Sequence, residues 1–287
     1  GMLFWDTIEN YNLLNTNPSF KFVGTKPSLR KGTQVLTDSG IVPIETLEGK
    51  TFKVMNLQGQ WSDAKCFLSG HDKPLYKLTL SNGKEYYCTG EHKWPVRMAD
   101  NTVAKVETTE LKKGYEIPLA PVSCLGYGNK GTYQDGLFIG FLYGDGSITT
   151  LPNGSTQYGF TFGSEKINEM MPFIIKKLDV ITGIRHSPTK RNRGGLDWYE
   201  TASCHQLLNE YMRRFGVTNK SQLPEKWYSE LSEDFRKGFI DGLFSADGWV
   251  DKSNYLGLSN KSHDFIEAIR DYLMWYGIRC SMHDGKT

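Results

Sequence analysis

Two aspartates, Asp145 and Asp247, stand 102 positions apart in matching surroundings: Gly136, Gly140, Gly144, Asp145 and Gly146 recur as Gly238, Gly242, Ala246, Asp247 and Gly248. Small residues spaced by four share one face of a helix and leave room for a second backbone to approach, so Gly140, Gly144, Gly242 and Ala246 are expected at a helix interface. Each helix closes in Asp-Gly, with glycine where a helix stops in the left-handed conformation. Each aspartate then sits at the negative end of a helix dipole, where a carboxylate is disfavoured. Two such helices side by side bring two carboxylates together, and like charges in one site repel unless something positive lies between them. A divalent cation with oxygen ligands, most simply Mg²⁺ held by Asp145 and Asp247, would supply that charge. For one segment alone, a solvated helix cap is the plainer explanation. Two copies in register, each followed by a strand and a second amphipathic helix, favour the paired site.

The elements that must position these groups follow from periodicity. From about 20 to 121 apolar residues alternate with polar ones, broken by turns at Asp38-Ser39-Gly40, Gln58-Gly59 and Asn82-Gly83, the signature of short strands. Asn-Gly accepts positive φ at both central positions and marks a hairpin between Tyr76–Leu80 and Glu85–Tyr87. Beyond Gly126, Gly128 and Gly131 the period becomes helical, over 167–178, 204–215 and 264–276. A domain boundary is therefore expected near 121–132. Gly183-Ile184-Arg185-His186-Ser187 also returns, as Gly277-Ile278-Arg279-Cys280-Ser281, which extends the repeat and implies two similar lobes. The fold class is α+β, an all-β part followed by a helix-rich one.

With 287 residues the chain has room for two domains, and 34 basic against 32 acidic side chains exclude a polybasic arm or a supercharged surface. No apolar run reaches the roughly 20 residues of a membrane helix, and Met2-Leu3-Phe4-Trp5 is too short for a secretory signal, so no membrane partner and a cytoplasmic location are expected. Five scattered cysteines without a CxxC pair indicate reduced thiols rather than disulfides or a zinc site. Between 131 and 287 there are 18 basic and 19 acidic residues, so any basic surface there must be local. The candidate is Lys190-Arg191-Asn192-Arg193 ahead of Gly194-Gly195, a hairpin tip whose Lys190, Arg191 and Arg193 would reach a nucleic-acid backbone, with a solvated loop as the alternative.

The segments Phe138-Ile139-Gly140-Phe141-Leu142-Tyr143-Gly144-Asp145-Gly146 and Ile240-Asp241-Gly242-Leu243-Phe244-Ser245-Ala246-Asp247-Gly248 resemble the paired LAGLIDADG motifs of homing endonucleases, and Gln222-Leu223-Pro224-Glu225-Lys226-Trp227 is similar to a segment typical of that family. The resemblance implies two αββαββα lobes with the motif helices at their interface and an antiparallel surface for the DNA major groove. It also implies metal-assisted hydrolysis of double-stranded DNA by Asp145 and Asp247. The domain would span 132–287, with one lobe at about 132–220 and a truncated second lobe at about 221–287. A lysine the family supplies from a late strand is matched only loosely, by Lys190 or Lys286.

Ser28-Leu29-Arg30-Lys31-Gly32-Thr33 onward, with Val42-Pro43-Ile44-Glu45-Thr46-Leu47, resembles the opening block of an intein, the Hint fold. Thr89-Gly90-Glu91-His92 matches its second block and Glu110-Leu111-Lys112-Lys113-Gly114 the end of its N-terminal part. The resemblance implies an N-terminal splicing region at 28–125, a flanking extein-like segment at 1–27, and an acyl shift. In that shift the Ser28 hydroxyl attacks the Pro27 carbonyl, His92 protonates the departing nitrogen and Thr89 orients the amide. A closing His-Asn end is absent, so cis-splicing is expected to be incomplete. A split intein working in trans with a C-terminal intein fragment, a truncated frame, and a DNA-binding remnant that no longer cleaves are the alternatives.

Overall fold

The computed structural model describes residues 28–56, 58–118, 128–166 and 169–283. The expected flanking segment, Pro27, Cys124 and Lys286 lie outside the described residues. Of the described residues, those up to 118 and from Arg270 onward form one compact unit, and those from Gly128 to Ile269 form the other. The division falls inside the last helix rather than at its end. Lys84 forms an ion pair with Asp271, and the Asn82 side-chain amide donates to Met274 Sδ at 3.2 Å, which ties the residues after Arg270 to the first unit.

The first unit is built from eight short strands. β1 (Gln34–Thr37), β2 (Gly40–Pro43), β3 (Thr51–Met55) and β4 (Trp61–Lys65) make an antiparallel sheet in the order β2-β1-β3-β4. β5 (Tyr76–Thr79) pairs with β6 (Glu85–Cys88), and β7 (Lys93–Arg97) with β8 (Val103–Glu107). Their inward side chains, among them Leu29, Val35, Ile44, Val54, Cys88, Trp94 and Val96, share one core. The hairpin predicted at Asn82-Gly83 is present, but only Gly83 is left-handed, with φ 82°. The reason is length. Leu80 N donates to Lys84 O and Gly83 N to Leu80 O, a three-residue loop that needs a single positive φ. The same two hydrogen bonds recur at Asn56–Gln60, Met98–Thr102, Leu151–Ser155 and Asp251–Tyr255, with Gly59, Asn101, Gly154 and Asn254 in the left-handed place. Glycine and asparagine alone fill it because they tolerate that conformation at least cost.

In the second unit, α1 (Tyr133–Asp145), β9 (Gly146–Thr150), β10 (Thr156–Phe162), α2 (Met170–Thr182), β11 (Thr189–Arg193), β12 (Leu196–Ser203) and α3 (Gln206–Arg214) complete an αββαββα lobe. Then α4 (Glu233–Asp247), β13 (Gly248–Val250), β14 (Leu256–Leu258) and α5 (His263–Trp275), of which the residues up to Ile269 belong to this unit, repeat its first half. Both long helices start on strong caps. Thr132 and Asp135 exchange hydrogen bonds in a capping box, and the Ser232 hydroxyl accepts from Phe235 N at 3.0 Å.

Where α1 meets α4, glycine is required by contact rather than by φ. A Cβ on Gly140 would fall on the Phe239 carbonyl oxygen, one on Gly242 on that of Leu137, and one on Gly144 on the Ala246 methyl; Gly136 and Gly238 have the same relation to Phe235 and Tyr133. Around this seam Phe138, Phe141, Phe160, Phe162, Phe235 and Phe239 are buried. Trp227, from the segment ahead of the second motif, is packed edge-on against Phe239 with ring centroids 5.0 Å apart. The glycines closing each motif differ from expectation: Gly146 (φ −104°, ψ 179°) and Gly248 (φ −78°, ψ 154°) are extended, not left-handed. Each helix passes straight into a strand, and the missing side chain is needed because a Cβ would overlap the carbonyl oxygen of Leu142 or Phe244.

Gly140→Ala and Gly242→Ala are each expected to lower unfolding stability by about 1–3 kcal/mol, because the partner backbone cannot yield as a side chain can. Urea melts check this, and variants as stable as the wild type would refute the packing account.

Candidate functional site

The glycine seam delivers Asp145 and Asp247 to the same end of the paired helices. A Cβ built on Gly144 would lie 3.4 Å from the Asp247 carboxyl carbon, so the second aspartate rests on the backbone just before the first. The Asp247 carboxyl is raised above the usual carboxylate range, chiefly by burial and then by the charge of Asp145, with Lys220 and Lys166 opposing both.

Those two lysines were not singled out by the sequence. Lys166, from the short turn 164–166 after β10, forms an ion pair with Asp145 and donates to the Ala246 carbonyl at 2.5 Å. Lys220, from the loop after α3, donates to Gly144 O at 2.7 Å and Gly146 O at 2.5 Å. Burial lowers the affinity of the Lys220 ammonium for its proton, and both aspartates resist that shift. The repulsion from which a cation was inferred is therefore answered by the chain itself, two positive side chains against two negative ones. A signal existed: Ser164-Glu165-Lys166 is echoed by Ser259-Asn260-Lys261 at the corresponding place after β14. Lys190, one of the two expected lysines, instead forms an ion pair with Asp197 at 2.7 Å on the outermost strand.

The basic run Lys190–Arg193 is β11 itself rather than the tip. The tip is Gly194-Gly195, both left-handed (φ 61° and 83°), since Arg193 already pairs with Leu196. Strand alternation divides the run. Lys190 is opposite Tyr199, which is opposite buried Phe162, so it belongs to the helix-covered face. Arg191 is opposite Trp198 and shares the other face with Arg193 and Glu200. Arg191 Nε donates to Glu200 Oε1 at 2.6 Å.

The second expected site lies in the first unit. Ser28 is fully buried; its N–H donates to Thr89 Oγ1 at 2.9 Å and its carbonyl accepts from Thr89 N at 2.9 Å. An isolated bridge between Leu29 and Cys88 continues this pairing along the end of β6. His92 is buried, with its ring edge against Trp94 at 5.0 Å, and neither His92 Nε2 nor the Ser28 hydroxyl has a hydrogen-bond partner among the described residues. Burial pushes the His92 imidazole down to about 4, so it is neutral near pH 7. Of the two expected partners, Thr89 is the one bonded to the Ser28 nitrogen.

The family comparison bears on the second motif. Residues 234–286 match the LAGLIDADG-like domain. This match covers α4 through α5, and the internal repeat carries its pattern back to α1. The large subunit of ribonucleoside-diphosphate reductase from Invertebrate iridescent virus 6 is 29% identical over 180 residues, 52% of this chain, and the chain spans 19% of that protein. Among solved structures, I-DmoI in complex with DNA and manganese is similar at 18% identity, covering 53% of this chain and 81% of that one with a TM-score of 0.37. Mesophilic variants of the homing endonuclease I-DmoI are similar at 19% identity, over 51% and 78%, with a TM-score of 0.34.

The neutral, buried His92 has a stability consequence. Its folded value of about 4 lies below the ordinary 6.5, so the unfolded chain takes up a proton first as pH falls. The contribution is complete above pH 6.5 and is lost on acidification toward pH 4, by up to roughly 3 kcal/mol. Thermal melts should therefore show a smaller drop between pH 7 and 4.5 for His92→Gln than for the wild type.

Proposed function

We propose that this chain is a LAGLIDADG-type endonuclease that hydrolyses phosphodiester bonds of double-stranded DNA, joined to an intein-type N-terminal splicing region. The observation that carries the nuclease assignment is the convergence of Asp145 and Asp247 at one end of a glycine-paired helix seam, with Lys166 and Lys220 beside them. The LAGLIDADG-like match over 234–286 supports it. The donors at the end of the seam suit a hard divalent cation: two carboxylates brought to one place, the neighbouring carbonyl oxygens of Gly144, Gly146 and Ala246 being taken by Lys220 and Lys166. Asp145 and Asp247 would hold Mg²⁺, which when bound stabilises charge on phosphate oxygens and makes a nearby water more acidic.

The chain's own residues set the rest of the chemistry. The motif helices fix the backbone from which each carboxylate projects, since neither helix end can shift without disturbing the close contact of the seam. Lys166 and Lys220 bring positive charge to where a scissile phosphate would acquire negative charge. On the open face of the β11-β12-β10-β9 sheet, Arg191 and Arg193 would engage the DNA backbone, while Lys190 from the opposite face reaches it only at the strand edge.

Ser28 supports the splicing region. In the proposed step the Ser28 oxygen bonds to the carbonyl carbon of residue 27, the C–N bond breaks, and the hydroxyl proton ends on the freed Ser28 amine. Thr89 Oγ1 already accepts from that nitrogen and fixes its orientation. A neutral His92 Nε2 can first take the hydroxyl proton and then return it to the nitrogen, which suits its value of about 4 better than service as a stored acid. The similarity to 19% of a viral reductase subunit supports a unit carried within a longer host protein rather than a reductase.

Incubation with a pool of DNA duplexes and Mg²⁺ should produce cuts that Asp145→Asn and Asp247→Asn each reduce by at least about 10³-fold while duplex binding persists, because only the transition state depends on them. Loss of binding in both variants would instead make the pair structural.

For the first unit, hydroxylamine should slowly release residues 1–27, faster in Ser28→Cys and not at all in Ser28→Ala, read by intact mass. A folded cysteine variant stable for days would remove the splicing assignment.

A further inference from the structure

The two lysines at the aspartate pair are not equivalent. Lys220 donates to Gly144 O and Gly146 O, both belonging to the end of α1 and the start of β9, and contacts neither carboxylate by hydrogen bond. Lys166 bridges the seam: its ammonium is paired with Asp145 at the end of α1 and donates to Ala246 O at the end of α4. Only 15% of its side chain is exposed, and it is delivered by a turn outside both motif helices. An ammonium is a compact point charge with three donors and no acceptor, and here it lies between a carboxylate of one helix and a carbonyl of the other.

We propose that Lys166 is the resident counter-ion of this site, occupying the ligand Asp145 would give to a divalent cation, so that the cation and Lys166 compete for it. The inference rests on the assignment of Asp145 and Asp247 as cation ligands. Two consequences follow from the contacts. Without a cation, Lys166 holds the helix ends together against the carboxylate pair. With one, its ammonium must leave Asp145, whereas Lys220 can stay on its carbonyls.

The test uses the full chain, with Ca²⁺ as the probe so that no cleavage intervenes. Lys166→Met, which keeps most of the apolar stem, should melt lower than the wild type in EDTA. It should recover on addition of Ca²⁺, and by calorimetry should bind Ca²⁺ about tenfold more tightly, since a charge-assisted competitor is gone. Lys220→Met should gain clearly less Ca²⁺ affinity than Lys166→Met, since Lys220 acts on the carboxylates by charge alone and occupies neither. On the wild type, acetylation of Lys166, read by peptide mass, should increase when Ca²⁺ is added, and this measurement does not depend on any variant folding. Equal or weaker Ca²⁺ affinity in Lys166→Met, or acetylation unchanged at saturating Ca²⁺, would overturn the counter-ion role and leave the cation site standing. No Ca²⁺ binding by wild type or variants would overturn the cation site and the competition together.

Discussion

The close approach of α1 to α4 is the constraint from which the second unit follows. At Gly136, Gly140, Gly238 and Gly242 each backbone lies where the other's Cβ atoms would have to be, so the helices meet through main chain instead of interleaved side chains. Such contact gives up the large apolar area a leucine seam would bury, and the loss is offset by the ring of aromatic residues around it. It provides position in return. Side chains that interdigitate can change rotamer, whereas touching backbones have no comparable freedom. Placing two carboxylates at the unfavourable end of two dipoles is tolerable only in such a fixed frame, with Lys166 and Lys220 beside them.

The first unit solves a different problem with a different device. Its sheets are small, and several of its hairpins use one loop geometry, so short strands are joined with little irregular chain. What distinguishes the Ser28 region is the pairing of a segment before β1 with the end of β6, across 61 positions of sequence. Ser28 is thereby buried with its amide hydrogen committed to Thr89 and its hydroxyl unbonded among the described residues, an unequal treatment of two polar groups on one residue. A buried hydroxyl without a partner is disfavoured in a purely structural position.

Much of this was legible from the chain alone, for identifiable reasons. The repeat marked α1 and α4 because backbone contact demands small residues at fixed spacing, a demand written directly in residue type. Turns were read at Gln58-Gly59 and Asn82-Gly83, where glycine holds the left-handed position, but the Asn153-Gly154 loop was passed over, and the hairpin at Met98–Thr102 was missed because Asn101 carries its left-handed position without a glycine beside it. The termination of the motif helices was misread, because a glycine needed for space and one needed for positive φ are the same letter. Lys166 and Lys220 escaped notice since they reach the end of the seam from a turn and a loop, and nothing in local spacing records a contact of Lys166 with Asp145 across 21 positions or of Lys220 with Gly144 across 76. The two sides of β11 became apparent only from its register with β12, as alternation within one exposed strand does not say which side is covered.

The absence of any connecting residue between motif helix and strand has a further consequence. Asp145 ends α1 and Gly146 begins β9; Asp247 ends α4 and Gly248 begins β13. At each junction one residue belongs to the seam and the next to a sheet, so the joint has no play. A sheet that twists to follow a curved surface must carry the adjoining carboxylate with it, as a lever moves its own fulcrum pin. The same rigidity sets where the chain can change in length over evolutionary time. The loops at Leu151–Ser155 and Asp251–Tyr255 can absorb added residues with both strands intact, whereas one residue inserted after Asp145 or Asp247 would turn every following side chain of that strand to the opposite face.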